Sequence, residues 1–261
     1  MKKKLALFGG KKTVNIVKPY ISIGHEEKIA VNEVLDTNCL SGFYGSWTKE
    51  FFGGEKIKLL ENKWKKFFGV KNAISVNSNT SGLFCAMGAI GISPGDEVIV
   101  PPTTMSATAM APLVYGGIPV FADIEEKNFC IDPAKVEEKI NKRTKAIIAV
   151  NLFGHPAQLK KLKIIAKRHN VYLIEDNAQA PLATENGKFC GTVGDIGVFS
   201  LNYHKHIHSG EGGICCTDND ELALKMQLIR NHAEASVEFT GIKDITNMIG
   251  YNYRMTEMSA A

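Results

Sequence analysis

Residues 197–213 read Gly197-Val-Phe-Ser-Leu-Asn-Tyr-His-Lys-His-Ile-His-Ser-Gly-Glu-Gly-Gly213. Residues 196–201 are apolar and β-prone, and polar residues and then glycines follow, so Lys205 falls where a strand gives way to a turn. A lone lysine in a loop is ordinarily a solvated surface residue. Two neighbours change that reading. Ser200 lies upstream of Lys205, and Ile174-Glu-Asp-Asn-Ala-Gln179 supplies an acid at the end of another apolar run. Desolvation or nearby cations favour the neutral amine, which is then a nucleophile towards carbonyl groups.

Outward from this stretch, short apolar runs at 73–76, 97–100, 119–122, 146–150 and 172–174 read as strands. Helical patterns lie between or before them at 24–35, 55–68, 83–90, 103–115, 133–140 and 158–169. The first has apolar positions Ile29, Val31, Val34 and Leu35 with acids in its opening turn. Strands alternating with helices in this way predict an α/β fold, a mostly parallel sheet with helices on both faces. Ligands in such sheets collect at the carboxyl ends of strands, and Thr80, Asp176 and Ser200 each follow an apolar strand.

The polar cluster Asn77-Ser-Asn-Thr-Ser-Gly82 sits between a strand and a helix. Free N–H groups and hydroxyls at the positive end of a helix suit a phosphate, although simple N-capping needs the same residues. Composition excludes little else. The chain has 261 residues, 44% hydrophobic and 22% charged, with a net charge of +4 spread among interspersed acids and bases, so nothing points to nucleic acid. The basic N-terminus carries too short an apolar run for a secretory core, and no run approaches the ~18 apolar residues of a membrane span. A cytoplasmic protein is expected. The six cysteines have no metal-ligand spacing and read as buried, reduced thiols. His204, His206 and His208 would share one face of a strand, which makes zinc conceivable, but no acid or cysteine stands at a supporting spacing. No metal is expected.

Asp176, Gln179, Ser200 and Lys205, followed by Gly210-Glu-Gly-Gly213, resemble the active-site string of the DegT/StrS-type sugar aminotransferases. These are pyridoxal 5′-phosphate (PLP) enzymes of the aspartate aminotransferase superfamily, and the resemblance runs from about residue 19 to the end. It implies the large domain of PLP transferase fold type I, with residues 1–20 an N-terminal arm, 21–250 the PLP-binding domain and 251–261 the start of a truncated C-terminal region. Relatives continue there into a small domain of roughly 100 residues.

The resemblance also implies roles. Lys205 holds PLP and shuttles a proton, Asp176 pairs with the ring nitrogen, and Gln179 meets the phenolic oxygen. Thr80, Ser81 and Ser200 anchor the phosphate. Asn252, in Gly250-Tyr-Asn-Tyr-Arg254, reaches the partner's phosphate in a homodimer with shared sites. Many relatives stack an aromatic residue on the ring where this chain has Met105, whose sulfur can still pack on an aromatic face. Arg254 could face an anionic substrate or make a structural ion pair. The loop holding Phe43, Tyr44 and Trp47 could approach substrate or pack on a partner subunit. Glu211 could orient the lysine loop.

The implied reaction moves an amino group from glutamate or glutamine to a nucleotide-linked ketosugar, as in cell-surface polysaccharide, lipopolysaccharide or amino-sugar biosynthesis. One alternative is a PLP-dependent sugar dehydratase of the same family, although those relatives carry histidine where this chain carries Lys205. Another is a non-catalytic PLP-fold binding or regulatory protein.

Overall fold

The computed structural model describes residues 4–14, 21–233, 237–245 and 248–261. Much of the expected arm (1–3 and 15–20) lies outside the described residues; residues 4–14 are almost all exposed around a short 3-10 turn at Ala6–Phe8. The main body begins with helices α1 (His25–Asp36) and α2 (Glu55–Phe68). Strand β1 (Asn72–Val76), helix α3 (Asn79–Ala89) and strand β2 (Glu97–Val100) follow. Next come α4 (Ala107–Leu113), β3 (Ile118–Phe121), α5 (Pro133–Lys139), β4 (Thr144–Val150), α6 (Leu159–His169) and β5 (Tyr172–Asp176). A hairpin of β6 (Thr184–Glu185) and β7 (Lys188–Phe189) leads to β8 (Ile196–Ser200), β9 (Gly213–Thr217), α7 (Asp220–Arg230) and α8 (Glu257–Ala260).

Seven strands form one sheet in the order β1-β9-β8-β5-β4-β2-β3. Only β9 runs against its neighbours; the pairs β8/β5, β5/β4, β4/β2 and β2/β3 are parallel. The expected mostly parallel α/β architecture is therefore present. Alternate strand residues point to opposite faces, and the core divides accordingly. Ile74, Val98, Ile148, Ile174 and Val198 pack against α3, α4 and α7. Ile99, Ile147 and Leu173 meet α5 and α6, while Ala73, Phe199 and Ile214 meet α2.

Several expectations need revision. Helix α3 starts inside the polar cluster, at Asn79, because Ser78 caps it. The helix expected from 103 starts only at Ala107, since residues 102–104 bend after the Pro101-Pro102 pair. In α1 only Val34 is buried, while Ile29 and Leu35 remain about half exposed. Residues 204–208 form turns rather than a strand, so the three histidines share no strand face. His208 Nε2 instead meets Ser22 Oγ at 2.5 Å. Five cysteines are buried, and burial raises the thiols of Cys190 and Cys215 to about 12.

The 40–54 loop folds onto its own chain. Trp47 packs on Phe51 and Phe52, and the Phe43 ring lies under Arg230, 4.7 Å from its guanidinium carbon. Tyr44 alone of the three aromatics is mostly exposed. Arg230 is completely buried and donates to Glu61 Oε1 (2.8 Å) and the Ser75 carbonyl (3.0 Å). Residues 251–261 are joined to the same body. Met255 is buried in the α2 core, and the Glu257 carboxylate accepts from the N–H groups of Gly54 (3.0 Å) and Lys56 (2.7 Å), where α2 starts. Among the described residues no helix is long and apolar enough to cross a membrane.

Candidate active site

The carboxyl end of β5 carries two adjacent acids on opposite faces. Glu175 is fully buried and accepts from the N–H groups of Gly191 (2.6 Å), Val193 (2.7 Å) and Gly194 (2.6 Å). It fastens the loop that leads into β8. Asp176 points the other way and is only 4% exposed. Its Oδ1 accepts from Asn79 Nδ2 and from the Ala178 N–H, each at 3.2 Å, and its Oδ2 accepts from Thr108 Oγ1 at 3.0 Å. Burial raises the Asp176 carboxyl above its ordinary value, against the pull of these donors and of the Lys205 charge.

Lys205 approaches from the turn after β8. That turn is closed by the Lys205 N–H to Asn202 carbonyl bond (2.9 Å) and by Asn202 Nδ2 to Glu211 Oε1 (2.8 Å). Glu211 thus braces the lysine loop through Asn202. The Lys205 side chain is half-buried, its ammonium bonds to no described residue, and its positive charge acts on Asp176. Ser200, half-buried at the end of β8, accepts from the Asn202 N–H at 3.3 Å. Because β8 lies beside β5 in register Asp176↔Val198, Ser200 and Lys205 belong to the same strand-end crevice.

The opening turn of α3 supplies the next wall. Ser78 Oγ accepts from the Ser81 N–H (3.0 Å), while Ser81 Oγ accepts from the Ser78 N–H (3.1 Å) and donates to Asn77 Oδ1 (2.7 Å). The buried Ser81 hydroxyl is therefore spent inside the capping box. Thr80 is exposed at the helix mouth, where the first helical N–H groups have no carbonyl one turn back. The two residues that sequence treats alike have different surroundings.

Gln179 accepts from the Phe153 N–H through Oε1 (3.0 Å), which leaves its Nε2 donors without a partner among the described residues. Met105 is 71% exposed, near the hydroxyl pair Thr104 and Thr108 (3.2 Å). Asn252 is exposed and bonded to Arg254, which also reaches Asn231; Arg254 has no carboxylate partner among the described residues. Sequence reasoning missed Asn79 and Thr108. Asn79 stood inside the quoted polar cluster and Thr108 one helical turn beyond Met105, but nothing local aims either at Asp176.

The donor set fits PLP. A buried carboxylate held by neutral donors suits a protonated ring nitrogen, and Asn79 Oδ1 beside it is a buried acceptor with no partner among the described residues. Lys205 offers an amine, Gln179 amide donors, and Thr80 and Ser200 hydroxyls near a helix N-terminus. A cavity of about 700 Å³, lined by Val31, Leu60, Trp64, Ile207 and His208, borders the far side of the lysine loop and includes neither Asp176 nor Lys205. No metal-like grouping of His, Cys, Asp or Glu occurs among the described residues.

These strand-end groups on an α/β sheet would suit a PLP transferase, and residues 23–261 match the DegT/DnrJ/EryC1/StrS aminotransferase family. The chain belongs to that family. It is 39% identical over 235 residues to a GDP-perosamine synthase of Caulobacter vibrioides, covering 90% of this chain and 60% of that protein. The crystal structure of an aminotransferase from Psychrobacter cryohalolentis superposes with a TM-score of 0.81 at 34% identity, covering 93% of this chain and 61% of the other. A GDP-4-keto-6-deoxy-D-mannose-3-dehydratase of E. coli with bound hydrated PLP gives 0.80 at 30% identity, covering 92% and 64%. The chain thus spans about 60% of the length of the first of these relatives.

Proposed function

We propose that this chain is the cofactor-binding body of a PLP-dependent aminotransferase. Its reaction moves the amino group of glutamate or glutamine onto a nucleotide-linked ketosugar in the cytoplasm, for amino-sugar or cell-surface polysaccharide synthesis. The observation that carries this reading is the buried Asp176 carboxylate under the influence of the Lys205 ammonium at adjoining strand ends. Similarity to a GDP-perosamine synthase supports an amino-sugar product. Retention of Lys205, rather than the histidine of the dehydratase relatives, supports amino transfer over dehydration.

PLP, when bound, supplies an electron sink for charge developing at the donor's α-carbon. Asp176 would keep the ring nitrogen protonated, and a cation against its carboxylate offsets the cost of burying it. Lys205 would hold the cofactor's aldehyde carbon and, once displaced, carry a proton between donor and cofactor as a general acid–base. Gln179 would donate through Nε2. Thr80 and Ser200 would hold the phosphate at the start of α3, with Ser81 shaping that turn through its capping box and any direct contact requiring the box to open. Met105 would cover the ring face, and Asn252 would reach the phosphate across a homodimer interface.

Borohydride reduction of the PLP-loaded chain and peptide mapping test this reading. The cofactor should be fixed on Lys205, and a label on any other lysine of an intact loaded protein rejects it. Lys205→Ala should still take up PLP through the phosphate contacts while losing turnover by several orders of magnitude, since nucleophile and proton carrier leave together.

A further inference from the structure

We infer that Arg254 is a positioning residue that turns the Asn252 amide so that only its N–H groups face outward, as donors to a phosphate. The inference rests on the PLP reading above and goes beyond it by assigning Arg254 and Asn231 a task.

The orientation follows from which atoms can accept. Asn231 is 2% exposed, and its side chain faces the carbonyls of Tyr44 (2.8 Å) and Phe51 (3.3 Å). Carbonyls only accept, so Asn231 must offer them Nδ2 and keep Oδ1 on its other side. Arg254 Nη1 donates to that Oδ1 at 3.1 Å. Arg254 Nε donates to Asn252 Oδ1 at 2.9 Å, and since a guanidinium has no acceptor, the Asn252 atom facing it must be oxygen. Asn252 Nδ2 is then left on the exposed side with no partner among the described residues. Each link fixes the next, from two backbone carbonyls to one outward amide.

The backbone beneath is already held. Tyr251 N–H donates to the Ile229 carbonyl (2.7 Å), Tyr253 N–H to the Arg230 carbonyl (2.9 Å), and Asn77 N–H to the Tyr253 carbonyl (2.8 Å). The Tyr251 and Tyr253 rings stack at 4.8 Å against the core. The remaining freedom of Asn252 is that of its side chain, and Arg254 removes it. Freezing one such side chain is worth about a three- to tenfold change in affinity. A guanidinium touching the phosphate directly would be worth more, on the order of ten- to a hundredfold.

The test compares affinities for PLP and for pyridoxal, which lacks the phosphate, by absorbance titration of the full chain. Arg254→Leu should lower PLP affinity about three- to tenfold and leave pyridoxal affinity unchanged. Because both ligands meet the same fold, their ratio is insensitive to lost stability. In an Asn252→Ala background the same substitution should change the ratio no further, because Arg254 acts through Asn252. A further loss there would make Arg254 a direct phosphate contact and overturn the inference. Should Arg254→Leu not fold, the exposed Asn252→Asp keeps the Arg254 bond but turns an acceptor outward. It should lower the preference for PLP over pyridoxal below that of Asn252→Ala at unchanged melting temperature, and a preference equal to that of the wild-type chain overturns the inference. Wild-type chain that binds neither ligand at Lys205 defeats the PLP reading and this inference together, whereas normal loading with an unmoved ratio defeats the inference alone.

Discussion

Asp176 is under opposing demands, since its ionised form would serve the cationic ring proposed for it but is expensive to bury. Its pKa in the folded chain is raised by burial, so the unfolded chain gives up this proton first as pH rises. Between the two values the unfolded state binds fewer protons, and the stability contribution of Asp176 falls as pH climbs through the folded pKa. Across that acidic interval the cofactor-free wild-type protein should therefore lose melting temperature relative to Asp176→Asn, since this one contribution is lost. Asp176→Asn should flatten this part of the profile while the similarly raised Glu175 keeps its own slope. Melting curves recorded against pH decide it, and an unchanged slope in Asp176→Asn rejects the assignment. Thr108 is tied to the same carboxylate and is fully buried. Thr108→Val keeps the shape but deletes a donor to a charged group, and should cost about 1.5–3 kcal/mol in urea unfolding. Thr108→Ser should restore most of it; equal stability of all three proteins would show that the bond contributes nothing.

At the scale of elements, the site depends on how closely α3 lies on the sheet. A Cβ built on Gly82 would stand 2.5 Å from Val198 Cγ1 and 3.1 Å from Cys215 Sγ, so only a glycine allows this approach. Gly82→Ala should push the first turn of α3 off β8 and destabilise the fold by about 1–3 kcal/mol. It should also weaken PLP binding, because Asn79 and Thr80 ride on that turn. A variant with native cofactor affinity would mean that the seating of α3 is immaterial to the site. The strand runs at 97–100, 146–150 and 172–174 and the helix at 55–68 were legible in sequence because buried parallel strands are continuous apolar runs and α2 has a clean amphipathic period. The start of α3 was not, since Asn77-Ser-Asn-Thr-Ser81 has the composition of a loop and a capped helix alike. In α1 the period was correct but the burial was not: periodicity identifies the apolar side, not what covers it. Asp176 and Lys205 were legible as a motif. The closure of Asn79 and Thr108 on Asp176 joins residues 97 and 68 positions apart, which no local pattern encodes.

For the whole molecule, the arrangement of Asn252 separates two ways of completing a phosphate site. Its backbone carbonyl lies 3.5 Å from Asn77 Nδ2 of its own chain, yet its amide donors face outward. A residue held this firmly by its own subunit and pointed away from it is suited to serve another copy, and in a two-fold dimer each copy would serve the other. Complementation tests this directly. With the proposed roles, Lys205→Ala could not hold the cofactor covalently, and Asn252→Asp would present an anion to the phosphate. In a mixed dimer, one of the two sites would combine an intact Lys205 from one chain with an intact Asn252 from the other. Mixing the two variants under conditions of subunit exchange should restore tight, borohydride-trappable PLP binding to a fraction of sites, although neither variant alone shows it. Sedimentation of the mixture should report a dimer. If Asn252 instead completed the site of its own chain, no mixture could recover native affinity, because every chain carrying Lys205 would also carry the damaged Asn252.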